Sequence, residues 1–162
     1  MPKKLVSKSF ALDKQDRGIL RILQQDNKKP QRAIADEVNL SAAAVQRRIV
    51  AMEDAGVIAR NVAIVDPDQV AATITAIVEV HLENERATSV DKAKALFRAV
   101  PEVQQCYYVT GGVSFVVIII APDMRSYERL TRRLFAENAL VKSYRTLVAL
   151  DRVKVDTSIE IP

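Results

Sequence analysis

The side chains with the clearest chemical purpose lie within QRAIADEVNLSAAAVQRRIVAME, residues 31–53. Ser41, Ala42, Ala43, Gln46 and Arg47 share one outward face at helical spacing, with Arg48 on its flank. Arg47 and Gln46 carry planar donors that can pair with base edges or reach adjacent phosphates. Ser41, at a helix N-terminus, is placed to bind phosphate. Arg32, Arg48, Lys28 and Lys29 add positive charge that attracts a polyanion whatever its sequence. Small residues between these donors let a helix sink into the major groove of B-DNA. The competing reading is an ordinary helical hairpin with a solvated basic face.

Bond-making chemistry has little support. His81 is the only histidine and Cys106 the only cysteine, and neither has metal-ligand spacing to a partner. Cys106 reads as a small buried hydrophobe. No phosphate-cradling loop and no nucleophile elbow occur. Carboxylates sit at salt-bridge spacing on helices, as Glu128 does with Arg132. No catalytic residue, metal or cofactor is expected.

The elements that must position the basic face are two short helices joined tightly. Ile34, Ala35 and Val38 give the first its apolar stripe. Asn39 suits a turn residue with positive φ, and Leu40 plugs the turn. Ser41 caps the second helix, whose inward residues are Val45, Ile49 and Met52, and Gly56 ends it. An earlier helix, from Leu12 to about Gln25, offers Ile19, Leu20, Ile22 and Leu23 as a third wall. Charge is uneven along the chain. Residues 1–65 hold 12 Lys/Arg against 7 Asp/Glu, whereas residues 66–162 hold 12 against 13. A phosphate-binding module followed by a separate partner module has this distribution.

Length and composition fit one medium domain or two small ones, and 49% hydrophobic content allows a real core. The longest apolar run, Phe115–Ala121, is too short to cross a bilayer. The basic start MPKKLVSKSF lacks an apolar signal region, and a lone cysteine fits a reducing compartment, so a cytoplasmic protein is expected. Lys3, Lys4 and Lys8 form either a phosphate-touching arm or a solvated tail.

The expected organisation is α+β: a winged-type helix-turn-helix over residues 1–60, a linker strand over 61–71, and a βαββαβ module over 72–162. In that module residues 73–82 alternate as a strand. Ser89–Val100 is a helix capped by Ser89 or Thr88 and stopped by Pro101. Residues 103–110 and 113–121 form a hairpin about Gly111-Gly112. A helix over Met124–Asn138 and a strand from Val141 to about Val155 follow. The order is that of the ferredoxin-like split βαβ arrangement. Of the adjacent Tyr107 and Tyr108, one is expected in the core. Val116, Val117, Ile118, Ile119 and Ile120 are all apolar, so both faces of the sheet call for burial, while two helices can cover only one. A second copy of the sheet is the simplest cover and predicts a homodimer; the alternative is cover by the linker.

The stretches LDKQDRGILRILQQD (12–26), LSAAAVQRRIVAMEDAGVI (40–58), VDP (65–67), PEVQQCYYVTGG (101–112) and DMRSYERL (123–130) together resemble the Lrp/AsnC, or feast/famine, transcription regulators. The resemblance covers residues 12–154. It implies double-stranded DNA as partner, dimers that assemble to tetramers or octamers, and an amino-acid effector bound between dimers. It places that effector at Tyr108, Val109, Thr110, Gly111, Gly112 and Ser114, with Met124, Leu147 and Val148 nearby. Gly111-Gly112 would bring backbone N–H groups to a carboxylate, or is simply a tight turn. This chain departs from the family's Gly-Asp-x-Asp-Tyr stretch: Gly111-Gly112-Val113-Ser114-Phe115 has lost both acids. Either the effector is absent or unusual, or recognition rests on backbone groups, Ser114 and Thr110. Arg60-Asn61 replaces the linker's usual Gly-Tyr, so that Arg60 adds charge near the DNA module or forms a salt bridge. Two alternatives remain: a tetrapyrrole decarboxylase-like relative, and a sensing protein that no longer binds DNA.

Overall fold

The computed structural model describes residues 10–162, so the expected arm of Lys3, Lys4 and Lys8 lies outside the described residues. The chain forms two compact units. Among the described residues, one comprises those up to Ala63 together with Val155–Pro162, and the other Ile64–Lys154.

The first unit holds α1 (Lys14–Gln25), α2 (Gln31–Val38) and α3 (Ala42–Asp54). α1 opens on a reciprocal cap. The Asp13 carboxylate accepts the Asp16 N–H at 2.8 Å, and the Asp16 carboxylate accepts the Asp13 N–H at 3.1 Å. The turn from α2 to α3 passes through Asn39 at φ 55° and ψ 50°, the left-handed conformation its short polar side chain tolerates. Ser41 Oγ then accepts the Ala44 N–H at 3.2 Å. Ile19, Leu20, Ile34, Ala35, Val45 and Met52 form the core, with Leu40 and Ile49 half-buried against it. Each large aliphatic side chain so buried contributes on the order of 1.5–3 kcal/mol. α1 and α2 approach closely at Gly18, where a Cβ would stand 3.1 Å from Val38 Cγ1. Residues 61–71, expected as a linker strand, form no strand among the described residues: 61–66 take no regular structure, and Pro67–Val70 close into a 3-10 turn that Asp66 caps.

Residues 155–162, expected within the C-terminal module, fold with the helices instead. Arg17, Arg21 and Gln24 stand at i, i+4 and i+7 on one face of α1. Arg17 donates to the Pro162 carbonyl at 2.8 Å, and Arg21 donates to the Ile161 carbonyl at 2.8 and 3.2 Å. The Gln24 carboxamide both donates to and accepts from the Ile159 backbone, at 2.9 and 2.8 Å. Seven helical residues rise about 10.5 Å, and three extended residues span about 10 Å. The ladder therefore matches an extended segment in length. Ile161 packs on the helical core.

The second unit runs β1 (Ile74–Leu82), α4 (Ala87–Arg98), β2 (Val103–Tyr108), β3 (Phe115–Ala121), α5 (Met124–Thr131) and β4 (Val141–Val148). α5 continues as a π-helical turn over Arg132–Ala136. The sheet order is β2-β3-β1-β4 with every neighbour antiparallel, the expected split βαβ arrangement. Ala76, Val78, Val80, Phe115, Val117 and Ile119 face α4 and α5, where Phe97 meets Phe115 and Phe135 at 5.3 and 5.9 Å between ring centroids. The opposite face carries Ile77, Val116, Ile118, Ile120, Leu147 and Tyr107, interrupted by a two-bond ion pair from Arg145 to Glu79 at 2.8 and 2.9 Å.

Three local expectations need correction. α4 begins at Ala87, and neither Thr88 nor Ser89 caps it. Asn84 performs that turn instead, its carbonyl oxygen accepting from the Arg86 N–H at 3.2 Å and the Ser89 hydroxyl at 2.8 Å. β4 stops at Val148 rather than near Val155, because β1, its partner, begins at Ile74 and leaves nothing beyond to pair with. Neither Tyr107 nor Tyr108 is core: they point to opposite faces, but at an outer strand both remain about half exposed, 53% and 49%.

Deleting residues 159–162 should speed amide exchange in α1 while leaving β1 and β3 unchanged, as followed by hydrogen-exchange mass spectrometry. Unchanged exchange in α1 would show that the ladder adds nothing.

Candidate nucleic-acid interface and effector cleft

On α3, Ser41, Ala43, Gln46 and Arg47 are exposed and Ala42 is half-buried, while Arg32 is exposed on α2. Neither Arg47 nor Arg32 makes an ion pair among the described residues. Gln46 also lines an open groove of about 490 Å³ with Lys28, Lys29 and Gln31. That groove brings the Gln46 face of α3 and the α1–α2 loop together.

Arg48 does not belong to this free set. Its guanidinium stands 2.7 Å from both Asp13 Oδ2 and Asp16 Oδ1. Asp16 is buried, and a carboxylate taken out of water needs a cationic partner. Arg48 is therefore the clamp that ties α3 to the start of α1. Lys29 is likewise paired, with Glu37. Helical spacing alone put Arg48 on the flank of the basic face; the sequence signal for its partner was the pair of aspartates three apart at a helix start. The backbone N–H of Asp16 and then the Arg48 guanidinium hold the Asp13 carboxyl below its usual range. Hydrogen bonds to Asp16 and Asp13 raise Arg48 further above its ordinary value.

The second site is a cleft of about 440 Å³ at the β2–β3 hairpin, lined by residues 108–114 with His81, Leu82, Glu85 and Lys142. Ser114, buried, is its hub. Its Oγ accepts the Leu82 N–H at 2.9 Å and donates to the Glu85 carboxylate by a short bond. Its N–H donates to the Val80 carbonyl at 2.9 Å, and its carbonyl accepts the Val109 N–H at 3.1 Å. The Tyr108 hydroxyl donates to the other Glu85 oxygen at 3.0 Å, and that carboxylate pushes the phenol up from its usual value. Lys94 Nζ lies 4.6 Å above the Tyr108 ring. Gly111 and Gly112 adopt φ of 107° and 103°, which other residues rarely do.

The cleft thus brings together Tyr108, Val109, Thr110, Gly111, Gly112 and Ser114. Met124, Leu147 and Val148 are not among its lining. β4 runs antiparallel to β1, so its first residues, not its last, meet the end of β1 beside the hairpin. Leu147 pairs with Ile77 and Val148 with Ala76, several residues away, and Met124 follows the far end of β3. Glu85, His81 and Lys142 went unassigned as cleft residues. The signal for Glu85 was topological: a residue just past β1 falls beside the start of β3 when the two strands are antiparallel.

No group of three or more His, Cys, Asp or Glu side chains could hold a metal among the described residues. Burial pushes the Cys106 thiol up, away from the thiolate a nucleophile needs. No helix of the described residues is long and apolar enough to cross a membrane.

A helix-turn-helix with an exposed Arg–Gln face, joined to a βαββαβ module with a polar cleft at its hairpin, defines a DNA-binding regulator of the two-module kind. The family comparisons agree. Residues 75–159 match the Lrp/AsnC ligand-binding domain, and residues 12–59 match a winged helix-turn-helix DNA-binding domain. An HTH-type transcriptional regulator of Sinorhizobium fredii is 43% identical over 153 residues, covering 94% of this chain and 90% of that one. An AsnC family transcriptional regulator from Agrobacterium tumefaciens superposes with a TM-score of 0.86 at 30% identity, covering 92% of this chain and 97% of that one. The transcriptional regulator NMB0573 of Neisseria meningitidis, solved as a complex with L-Met, superposes with a TM-score of 0.85 at 25% identity, covering 93% and 97%. The chain belongs to the Lrp/AsnC family and is a DNA-binding transcriptional regulator.

Two outcomes follow from the Arg48 clamp. Arg48→Ala should lower unfolding stability by about 1–3 kcal/mol, since it strands a buried carboxylate behind a partly exposed partner; a denaturant melt unchanged within error would refute the clamp. Asp13, with its folded pKa depressed, stabilises the protein fully above pH about 4 and loses that contribution as pH falls through the depressed value. Asp13→Asn should therefore flatten the acid side of the stability–pH curve, measured by melts between neutral pH and strong acid.

Proposed function

We propose that α3 enters the major groove, with Arg47 and Gln46 contacting base edges or adjacent phosphates. Ser41 and the α3 N-terminus meet phosphate, Ala42 and Ala43 allow close approach, and Arg32 with Lys28 supplies affinity that falls steeply with salt. The observation that carries this reading is the exposed Arg47–Gln46 pair on a capped helix, free of any ion pair among the described residues. Two copies pair through the open face of Ile77, Val116, Ile118, Ile120 and Leu147, and presents two recognition helices to two half-sites. Dimers assemble further to tetramers or octamers in the cytoplasm. An amino acid bound at the hairpin cleft shifts that assembly by its differential affinity for the states. Support for an effector of this class is the L-Met bound to the Neisseria neighbour and the two positive-φ glycines that open backbone N–H groups to an anion.

The test is binding to DNA from the gene's own upstream region against a scrambled duplex over a salt series. Preference for the native fragment that survives added salt is the expected result. Arg47→Ala should cost about 1–3 kcal/mol on the native fragment and much less on the scrambled one. Equal loss on both would reassign Arg47 to phosphate, and no binding at low salt would overturn the reading.

A further inference from the structure

The family stretch at the hairpin has lost both of its acids, yet the cleft is not without a carboxylate. Glu85 supplies one from the loop after β1, a different element. Both of its oxygens are held by neutral hydroxyls, Tyr108 and Ser114, and by no cation among the described residues. An ammonium group entering the cleft would meet an oriented anion already stripped of part of its water.

The remaining charge of the cleft is of the opposite sign. Lys142 lines it and makes no ion pair among the described residues. Lys94, outside the lining, stands over the Tyr108 ring and is likewise without an ion pair among them. His81 joins Lys142 as a nitrogen base in the wall. Only Leu82, Val109 and Val113 of the lining carry aliphatic side chains, and Leu82 is turned into the core. A thioether or branched aliphatic side chain finds little apolar surface here, whereas a second carboxylate finds a lysine without an ion pair among the described residues. Charge balance therefore favours a ligand with one ammonium and two carboxylates.

Building on the effector reading above, we infer that the hairpin cleft selects a dicarboxylic amino acid. Glu85 takes its ammonium, the Gly111-Gly112 backbone its α-carboxylate, and Lys142 its side-chain carboxylate. Glu85 is then the residue that restores amine recognition to a hairpin without acids, and Lys142 sets the preference for an acidic side chain.

Calorimetric titration of the full chain with L-glutamate, L-glutamine and L-methionine tests this. Glutamate and glutamine differ only in the group that meets Lys142, so glutamate should bind about twofold to fivefold more tightly, as expected for one exposed ion pair. Lys142→Met should collapse the glutamate-to-glutamine ratio towards one. Glu85→Gln should weaken both ligands together and leave their ratio standing. Thermal melts of each variant check that the fold is retained, which the exposure of both side chains favours. Glutamine or methionine binding as tightly as glutamate, or a ratio indifferent to Lys142→Met, overturns the inference while leaving an amino-acid effector in place. Binding of none of the three overturns this inference, and a wider screen in which no amino acid binds overturns the effector reading itself.

Discussion

The antiparallel pairing of β1 with β3 on one side and β4 on the other constrains the whole C-terminal unit. It puts Ala76, Val78 and Val80 on the helix face and Ile77 and Glu79 on the open one. It also decides where polar groups gather. The end of β1, the start of β3 and the start of β4 meet at a single corner, so Leu82, Ser114 and Lys142 become neighbours although they lie far apart in the chain. Ser114 then fixes the corner by accepting from one strand and donating to the loop that leaves it. A slip of one residue in this register would turn the aliphatic set outward and dismantle the cleft together with the core.

In the helical unit the corresponding fixed point is electrostatic. Asp13 and Asp16 open α1 with a reciprocal cap, and Arg48 satisfies both from α3. One arginine of the apparent DNA face is thereby withdrawn into the architecture. Its neighbour Arg47, a single residue earlier, stays exposed and unpaired among the described residues. Adjacent arginines on one helix thus serve opposite ends, because successive helical positions differ in direction by about 100°.

Much of this was legible in the sequence. Alternation in residues 73–82, the Asn39 turn, the Ser41 cap and the Gly111-Gly112 hairpin each express a local rule, and local rules are read from local residues. The doubly apolar strand 116–120 announced an open face that the helices leave uncovered. What escaped notice depends on register or on distant partners. Glu85 and Lys142 reach the cleft only because of strand pairing, and Leu147 and Val148 miss it for the same reason. Arg48 needed knowledge of a partner 35 residues away. The caps at Thr88 or Ser89 failed because Asn84 competes for the same turn.

The tail on α1 carries a consequence for modularity. Two-module regulators invite exchange of one sensing module for another by joining genes at the linker. In this chain such a junction would sever Ile159, Ile161 and Pro162 from the helix that holds them. The helical unit is encoded in two pieces that flank the sensing module. Any productive exchange, natural or designed, therefore needs two breakpoints rather than one, an insertion instead of a fusion.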